Sequence, residues 1–162
     1  EAQLPAAAAG GGILPDYVVV SPVSPLMRTL YAFDHLFVRQ WMESHPSIRD
    51  TWEDRQDAFN REFVVDDQTV DAFWEYAAEE HNVHLVPEGE VMPENVDEGK
   101  RYIRAQEVEE DRALLKARLK AYMARRMWGV SAWFPVIQQV DPILQNAMTL
   151  WEPAGKLSMN HR

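Results

Sequence analysis

The chain has 162 residues, 46% of them hydrophobic, and its 26 acidic residues against 16 lysines and arginines give a formal net charge of −10. This length suits one domain with a hydrophobic core, and the six tryptophans and six phenylalanines exclude a wholly disordered chain. The negative charge disfavours nucleic acids and anionic membranes as partners, and the lack of cysteine excludes disulfides, thiolate metal sites and cysteine nucleophiles.

A glycine-rich stretch close to the N-terminus is followed by a β-branched run. Residues 10–16 are GGGILPD, and residues 17–20 are YVVV. Glycines and a Pro-Asp turn permit a tight backbone passage, and β-branched residues favour a strand. We expect a short strand at 18–20, but an isolated strand cannot satisfy its own backbone groups. This mismatch suggests that the chain is a fragment of a larger protein.

Three helices are predicted in the first half of the chain. The first is capped by Ser24, has Pro25 at its first position and ends before Pro46. Its apolar face consists of Leu26, Leu30, Phe33, Phe37 and Trp41. A second helix is expected from Ile48 to about Phe59, opened by Ser47, and then a brief extended segment at 63–65. A third, capped by Asp66 or Asp67, should run to about His81 with Val70, Phe73, Trp74 and Ala77 inward.

The second half contains the strongest helical pattern. Residues 82–99 carry prolines, glycines and acidic residues, and they are predicted to form an acidic connection. A helix from about Val96 to Trp128 follows, and Gly129 is placed to end it. The apolar stripe of this helix consists of Leu115, Leu119, Tyr122, Met123 and Met127. Two short helices are expected at 131–139 and 141–151. The sequence therefore predicts a mainly α fold of about five or six helices, with one short N-terminal strand.

Two sets of residues, one near each end of the chain, resemble a known family. The first is the glycine-rich motif, made up of Gly10, Gly11, Gly12, Ile13, Pro15 and Asp16. The second is an amphipathic helix ending at Trp128-Gly129, then the pair Trp133-Phe134, then Asp141-Pro142 opening an apolar helix. In this order they resemble the C-terminal portion of the C-terminal processing peptidases, also called tail-specific proteases. Unlike relatives with a Gly-Arg pair before the glycines, this chain has Pro5 and four alanines there.

The resemblance implies a parent serine endopeptidase of the cell envelope or periplasm. Such a parent hydrolyses peptide bonds near the C-termini of polypeptide substrates with a Ser/Lys dyad, which lies upstream of the glycine-rich motif in this family. We therefore expect the isolated chain to have no catalytic residue, no cofactor and no metal, and to be inactive as a peptidase. The implied domains are a remnant of the protease core at 1–22, a helical domain at 23–155 and a tail at 156–162.

An aromatic and aliphatic cluster near the C-terminus is a candidate interface. Its members are Trp128, Trp133, Phe134, Ile137, Ile143, Leu144, Met148 and Trp151. Short helices are marginal unless they bury such area, either in the core of the same chain or against another subunit. The expected partners are the missing protease core and a second copy of the chain. The alternative function is a free-standing helical interaction domain whose glycine-rich motif is coincidental.

Other polar residues have two interpretations each. His81 and His84 suggest either a metal site or exposed imidazoles at a helix end. The six positive charges between Arg112 and Arg126 suggest either a docking face for an acidic surface or a solvated face suited to the helix dipole, with Lys116 and Lys120 both solvated. No apolar run approaches the ~18 residues of a membrane span, so we expect none in this chain.

Overall fold

The computed structural model describes residues 24–93, 99–140 and 142–149. Several predictions fall outside these residues: the glycine-rich motif, the strand at 18–20, the segments 1–22 and 156–162, and both ends of the domain 23–155. The described part is mainly helical, which confirms the predicted fold class. None of its helices is long and apolar enough to cross a membrane.

Short turns separate most of the helices. The α-helices are α1 (Pro25–Leu30), α2 (Asp34–Ser44), α3 (Ser47–Trp52), α4 (Gln56–Glu62), α5 (Asp67–His81), α6 (Ala105–Trp128), α7 (Phe134–Ile137) and α8 (Pro142–Thr149), and a 3₁₀ turn spans Val130–Ala132. Two strands, β1 (Val83–Val86) and β2 (Arg101–Arg104), lie between α5 and α6. The described residues contain more helices than expected because the first two predicted helices are each interrupted by a turn.

Helix α6 is the central element of the fold. It contacts α1, α2, α7, the 3₁₀ turn and β2. Its predicted apolar stripe is confirmed, since Leu115, Leu119 and Met123 are fully buried. These side chains join Phe59 of α4 and Phe73 of α5 in one hydrophobic cluster. Removing such large apolar side chains from water supplies the main driving force for folding.

The first predicted helix is interrupted between α1 and α2. Ser24 caps α1 as predicted, because its hydroxyl oxygen accepts a hydrogen bond from the Met27 amide at 3.1 Å. In the turn at 31–33, the amides of residues 32 and 33 bond to carbonyls three residues back instead of four. The predicted continuous helix is therefore wrong at this turn, whereas its end before Pro46 is confirmed.

The second predicted helix also divides in two. Helix α3 ends at Trp52, and Ser47 is its first residue and not its cap. The turn that follows is held by helix α6, since the indole N–H of Trp128 donates a hydrogen bond to the Glu53 carbonyl at 2.6 Å. A side chain distant in sequence thus satisfies a carbonyl that the helix end leaves free.

Helix α5 matches its prediction. The Asp66 carboxylate caps it by accepting hydrogen bonds from the amide and the hydroxyl of Thr69, at 2.8 and 2.6 Å. The helix runs to His81, and Asn82 ends it in the left-handed conformation, with a φ of 54°. The four side chains predicted to face inward, Val70, Phe73, Trp74 and Ala77, are all buried.

Strands β1 and β2 form a parallel pair that the sequence did not predict. Val83 pairs with Arg101, and Val86 pairs with Arg104. A parallel pair needs a crossover of about a dozen residues, and the segment 87–100 provides it. The acidic connection predicted at 82–99 therefore contains a strand.

The start and the end of α6 differ in how well they were predicted. The helix begins at Ala105, so the predicted start near Val96 is wrong, since β2 occupies the residues just before it. Its end at Gly129 is confirmed. Gly129 has a φ of 90° and a ψ of −178°, a backbone conformation that residues other than glycine rarely adopt. The helix predicted at 131–139 shortens to α7, and the last one begins at Pro142 as expected.

Candidate functional site

A buried ion pair connects α2 to α6. The Asp34 side chain is fully buried, and Arg118 is 8% exposed. Two guanidinium nitrogens of Arg118, Nε and one terminal nitrogen, each lie 2.7 Å from Oδ2 of Asp34. Charges taken out of water this completely are found in proteins only where they are paired.

The second carboxylate oxygen of Asp34 is not satisfied in the same way. Oδ1 is buried without a hydrogen-bond partner in the described residues, and Nδ1 of the exposed His35 lies 3.8 Å from it. Burial raises the pKa of the Asp34 carboxyl above its ordinary value, while the Arg118 guanidinium opposes that rise.

Aromatic rings surround the guanidinium group of Arg118. Its central carbon lies 3.5 Å from the centre of the Tyr31 ring, 5.6 Å from that of Tyr122 and 5.5 Å from that of Trp133. Cation–π attraction to these ring faces compensates part of the lost hydration. We call Asp34 together with these three aromatic residues the Arg118 cage.

A cavity of about 650 Å³, open to solvent, adjoins the two tyrosines of the cage. We call it the α2–α6 cavity, because both helices line it. Its lining consists of Tyr31, His35, Leu36, Val38, Arg39, Tyr122, Arg125 and Arg126. The volume lies within the range of roughly 300–1,000 Å³ that is typical of small-molecule sites.

The α2–α6 cavity is positively charged, although the chain as a whole is acidic. Three exposed arginines line it: Arg39, Arg125 and Arg126. Arg126 forms an ion pair with Glu43 at 2.8 Å. In the part of the chain that the structure describes, neither Arg39 nor Arg125 has an ion-pair partner.

The basic run of α6 mostly binds other parts of the same chain. Arg112 and Lys116 both contact the Asp67 carboxylate of α5, at 2.9 and 2.5 Å. Lys120 donates a hydrogen bond to the Asn60 carbonyl at 2.8 Å, and burial lowers its pKa. The expectation that both lysines are solvated is therefore wrong for Lys120, and the run is not one continuous exposed face.

The two histidines considered for a metal site lie in different environments. His81 stacks on Phe33 with ring centres 4.2 Å apart and lies 3.3 Å from the Tyr76 hydroxyl, so it is not an exposed helix-end imidazole. His84 is part of β1 and packs near Tyr102. Among the described residues, no group of three or more His, Cys, Asp or Glu side chains is arranged to hold a metal ion.

The candidate interface residues separate into packed and exposed groups. Trp128, Trp133 and Ile137 pack against the core of the chain. Phe134 and Met148 are 52% and 68% exposed. Leu144 is half-buried. The side chain of Ile143 and all of Trp151 lie outside the described residues. As an interface the cluster stays a prediction, which now depends mainly on the two exposed residues.

The Arg118 cage was not predicted from the sequence, although a signal for it exists. Asp34 lies four residues after Leu30 and three before Phe37, so it belongs to the predicted apolar face of the first helix. Likewise, Arg118 lies three residues after Leu115 and four before Tyr122, on the stripe of α6. A charged residue on each of two apolar faces is the pattern that a buried ion pair produces.

One comparison with known proteins identifies a family. A family model described as a family of unknown function (DUF8443) matches residues 37–129, which is more than half of the chain. The chain belongs to the DUF8443 family. The match begins within α2 and ends at Gly129, so the DUF8443 segment contains Arg118 and the three arginines of the α2–α6 cavity. No curated protein and no solved structure matches the chain.

Proposed function

We propose that this chain is the C-terminal helical domain of a C-terminal processing peptidase of the cell envelope. The parent enzyme hydrolyses peptide bonds near the C-termini of polypeptides with a Ser/Lys dyad located upstream of the glycine-rich motif. The role proposed for the domain is to pack against the protease core and to associate with a second copy. It carries no catalytic residue itself.

The order of features along the chain carries the proposal. The glycine-rich motif comes first, followed about a hundred residues later by an amphipathic helix, a Trp-Gly end, an aromatic pair and an Asp-Pro helix start. The described part of this layout supports the proposal, since α6 ends at Trp128 and α8 begins at Pro142. The DUF8443 match, at residues 37–129, lies between the glycine-rich motif and the aromatic pair.

The two lysines of α6 make contacts other than those of a Ser/Lys dyad. A lysine that acts as a general base must be neutral and close to the nucleophilic hydroxyl. Lys116 instead contacts the Asp67 carboxylate, and Lys120 contacts the Asn60 carbonyl. Neither ammonium group is hydrogen-bonded to a serine among the described residues.

Peptide cleavage by the complete gene product and by the isolated chain tests the proposal. We expect the complete protein to cleave an unstructured peptide and to lose this activity when the upstream serine is replaced by alanine. The isolated 162-residue chain should not cleave the peptide over hours. Cleavage by the isolated chain that disappears in Ser44→Ala or Ser131→Ala would contradict the proposal.

The sequence upstream of the chain separates this proposal from its alternative. A gene that encodes no serine and lysine in a protease-like context before the glycine-rich motif excludes the peptidase. The free-standing helical interaction domain then becomes the better explanation, because the exposed apolar residues Phe134 and Met148 need no protease core to act.

A further inference from the structure

The α2–α6 cavity has the properties of a ligand site that no comparison assigns. We infer that it binds an organic anion, with one or two acidic groups attached to an apolar body. The inference rests on the chemistry of the cavity alone and does not depend on the peptidase proposal.

The polar side chains of the cavity are almost all donors. Arginine carries five N–H donors and no acceptor, and three arginines line the cavity. Arg118 donates a hydrogen bond to the Tyr122 hydroxyl at 3.4 Å, which leaves the hydroxyl proton of Tyr122 to be donated elsewhere. The group that matches this lining accepts hydrogen bonds and carries negative charge, as carboxylates and phosphates do.

The charge of the site favours an anion over a neutral acceptor. Glu43 neutralises Arg126 only, and the lining contains no acidic residue. Arg39 on α2 and Arg125 on α6 therefore present two guanidinium groups from two different helices. Guanidinium groups bind carboxylates and phosphates in a bidentate geometry, which makes such pairs strong and specific.

The remaining lining indicates the apolar body of the ligand. The Tyr31 and Tyr122 rings, together with Leu36 and Val38, provide apolar surface next to the charged groups. At about 650 Å³ the cavity is far larger than a single inorganic ion requires. The cage holds Tyr31 and Tyr122 against Arg118, so this wall is formed before any ligand binds.

Titration with an anionic aromatic dye tests the inference. The probe is 1-anilinonaphthalene-8-sulfonate, which has an aromatic body and one sulfonate, and N-phenyl-1-naphthylamine serves as its uncharged counterpart. We expect one sulfonate dye per chain, weaker binding when NaCl rises from roughly 20 to 200 mM, and little binding of the amine. Several dyes per chain, or equal binding of both probes, would show adsorption to apolar surface and overturn the inference.

Matched arginine variants locate the site. The double variant Arg39→Gln/Arg125→Gln should weaken dye binding by about tenfold or more, because two charge-assisted hydrogen bonds are lost. The control Arg49→Gln/Arg61→Gln removes two exposed arginines of α3 and α4, which do not line the cavity, and should leave the affinity within about twofold. Equal effects of the two pairs would overturn the assignment.

Competition identifies the acidic group. Phenyl phosphate and 3-phenylpropionate have similar apolar bodies and differ in their acidic group, and inorganic phosphate lacks the apolar body. Displacement of the dye by either aromatic anion at lower concentration than inorganic phosphate supports the inference and distinguishes phosphate from carboxylate. Failure of both aromatic anions to displace the dye would overturn it.

Discussion

The Asp34–Arg118 pair is the residue-level feature with the greatest structural consequence. Removing both charges from water costs several kcal/mol per ion, which two short contacts to one oxygen and ring stacking offset in part. Among the described residues Oδ1 of Asp34 has no hydrogen-bond partner, so the pair is only partly satisfied there. We therefore expect it to fix α2 against α6 more than to add stability overall.

Removing one partner of this pair should be far more costly than removing both. Asp34→Leu leaves the Arg118 guanidinium buried without its counter-ion and should lower the free energy of unfolding by about 3–5 kcal/mol. The double variant Asp34→Leu/Arg118→Met replaces the pair with apolar groups and should recover most of that loss. Urea unfolding of the single and double variants measures both effects.

A surface aspartate provides the control for this cycle. Asp71 is exposed on α5, and Asp71→Leu should change the stability by less than about 0.5 kcal/mol. If a single variant does not fold, the double variant still tests the coupling of Asp34 and Arg118, because we expect the double variant to fold. Additive losses in the double variant would contradict the coupling.

At the level of elements, α5 and α6 are connected by one carboxylate with two cations. Asp67, the first residue of α5, contacts both Arg112 and Lys116. Hydrogen bonds from Lys116 and Arg112 lower the pKa of Asp67 from 3.8 to about 2. A carboxyl group with a lowered pKa in the folded state stabilises that state above its unfolded pKa and loses this contribution as the pH falls.

Acid unfolding of Asp67→Asn should therefore be less steep than that of the unchanged chain. The stability that Asp67 contributes disappears between its unfolded pKa of 3.8 and its folded pKa of about 2. The variant should be less stable near about pH 7, and the two curves should converge in acid. Hydrogen bonds from Thr69 lower the pKa of Asp66, so Asp66 keeps its own acid dependence in the variant. Burial raises the pKa of Asp34, so its contribution to stability changes with pH in the opposite direction.

Thermal unfolding across this pH range measures the effect, and Asp71→Asn is the control on the same helix. Asp71 has no ion pair in the described residues, so its variant should follow the unchanged chain. A parallel shift of the Asp67→Asn curve at every pH, without convergence, would contradict the linkage.

The sequence predicted helices and their ends correctly where residues close in sequence determine them. The caps at Ser24 and Asp66, the end at Gly129 and the inward face of α5 all depend on neighbouring residues. The pairing of β1 with β2 and the contact of Asp34 with Arg118 instead join segments far apart in sequence. The same reason explains why the cage was missed, since its residues come from three separate segments.

At the level of the whole molecule, charge is distributed unevenly around α2. On one side this helix lines the positive α2–α6 cavity. On the other side it lines a smaller cavity of about 190 Å³ against α5, which contains Glu75, Glu79 and Glu80. Among the described residues, the α2–α6 cavity concentrates positive charge on an otherwise acidic chain, and it is expected to attract anionic ligands.

Self-association is the whole-molecule property that tests the candidate interface. Phe134 and Met148 lie in α7 and α8 and are 52% and 68% exposed, while Trp128 and Trp133 pack against the core. Exposed aromatic and methionine side chains beside a packed aromatic cluster are typical of an interface centre. We expect the average mass from light scattering to rise with the concentration of the chain.

The variant Phe134→Glu/Met148→Glu should abolish that rise without lowering the free energy of unfolding, because neither side chain belongs to the core. Its matched control is Val64→Glu/Val91→Glu, which adds the same two charges at valines that are 73% and 85% exposed and lie outside the cluster. The control should associate as the unchanged chain does. If the unchanged chain is a monomer at every concentration, the interface is contradicted. Equal disruption by both variants also contradicts it, because net repulsion between acidic chains would then explain the result without any contact through α7 and α8.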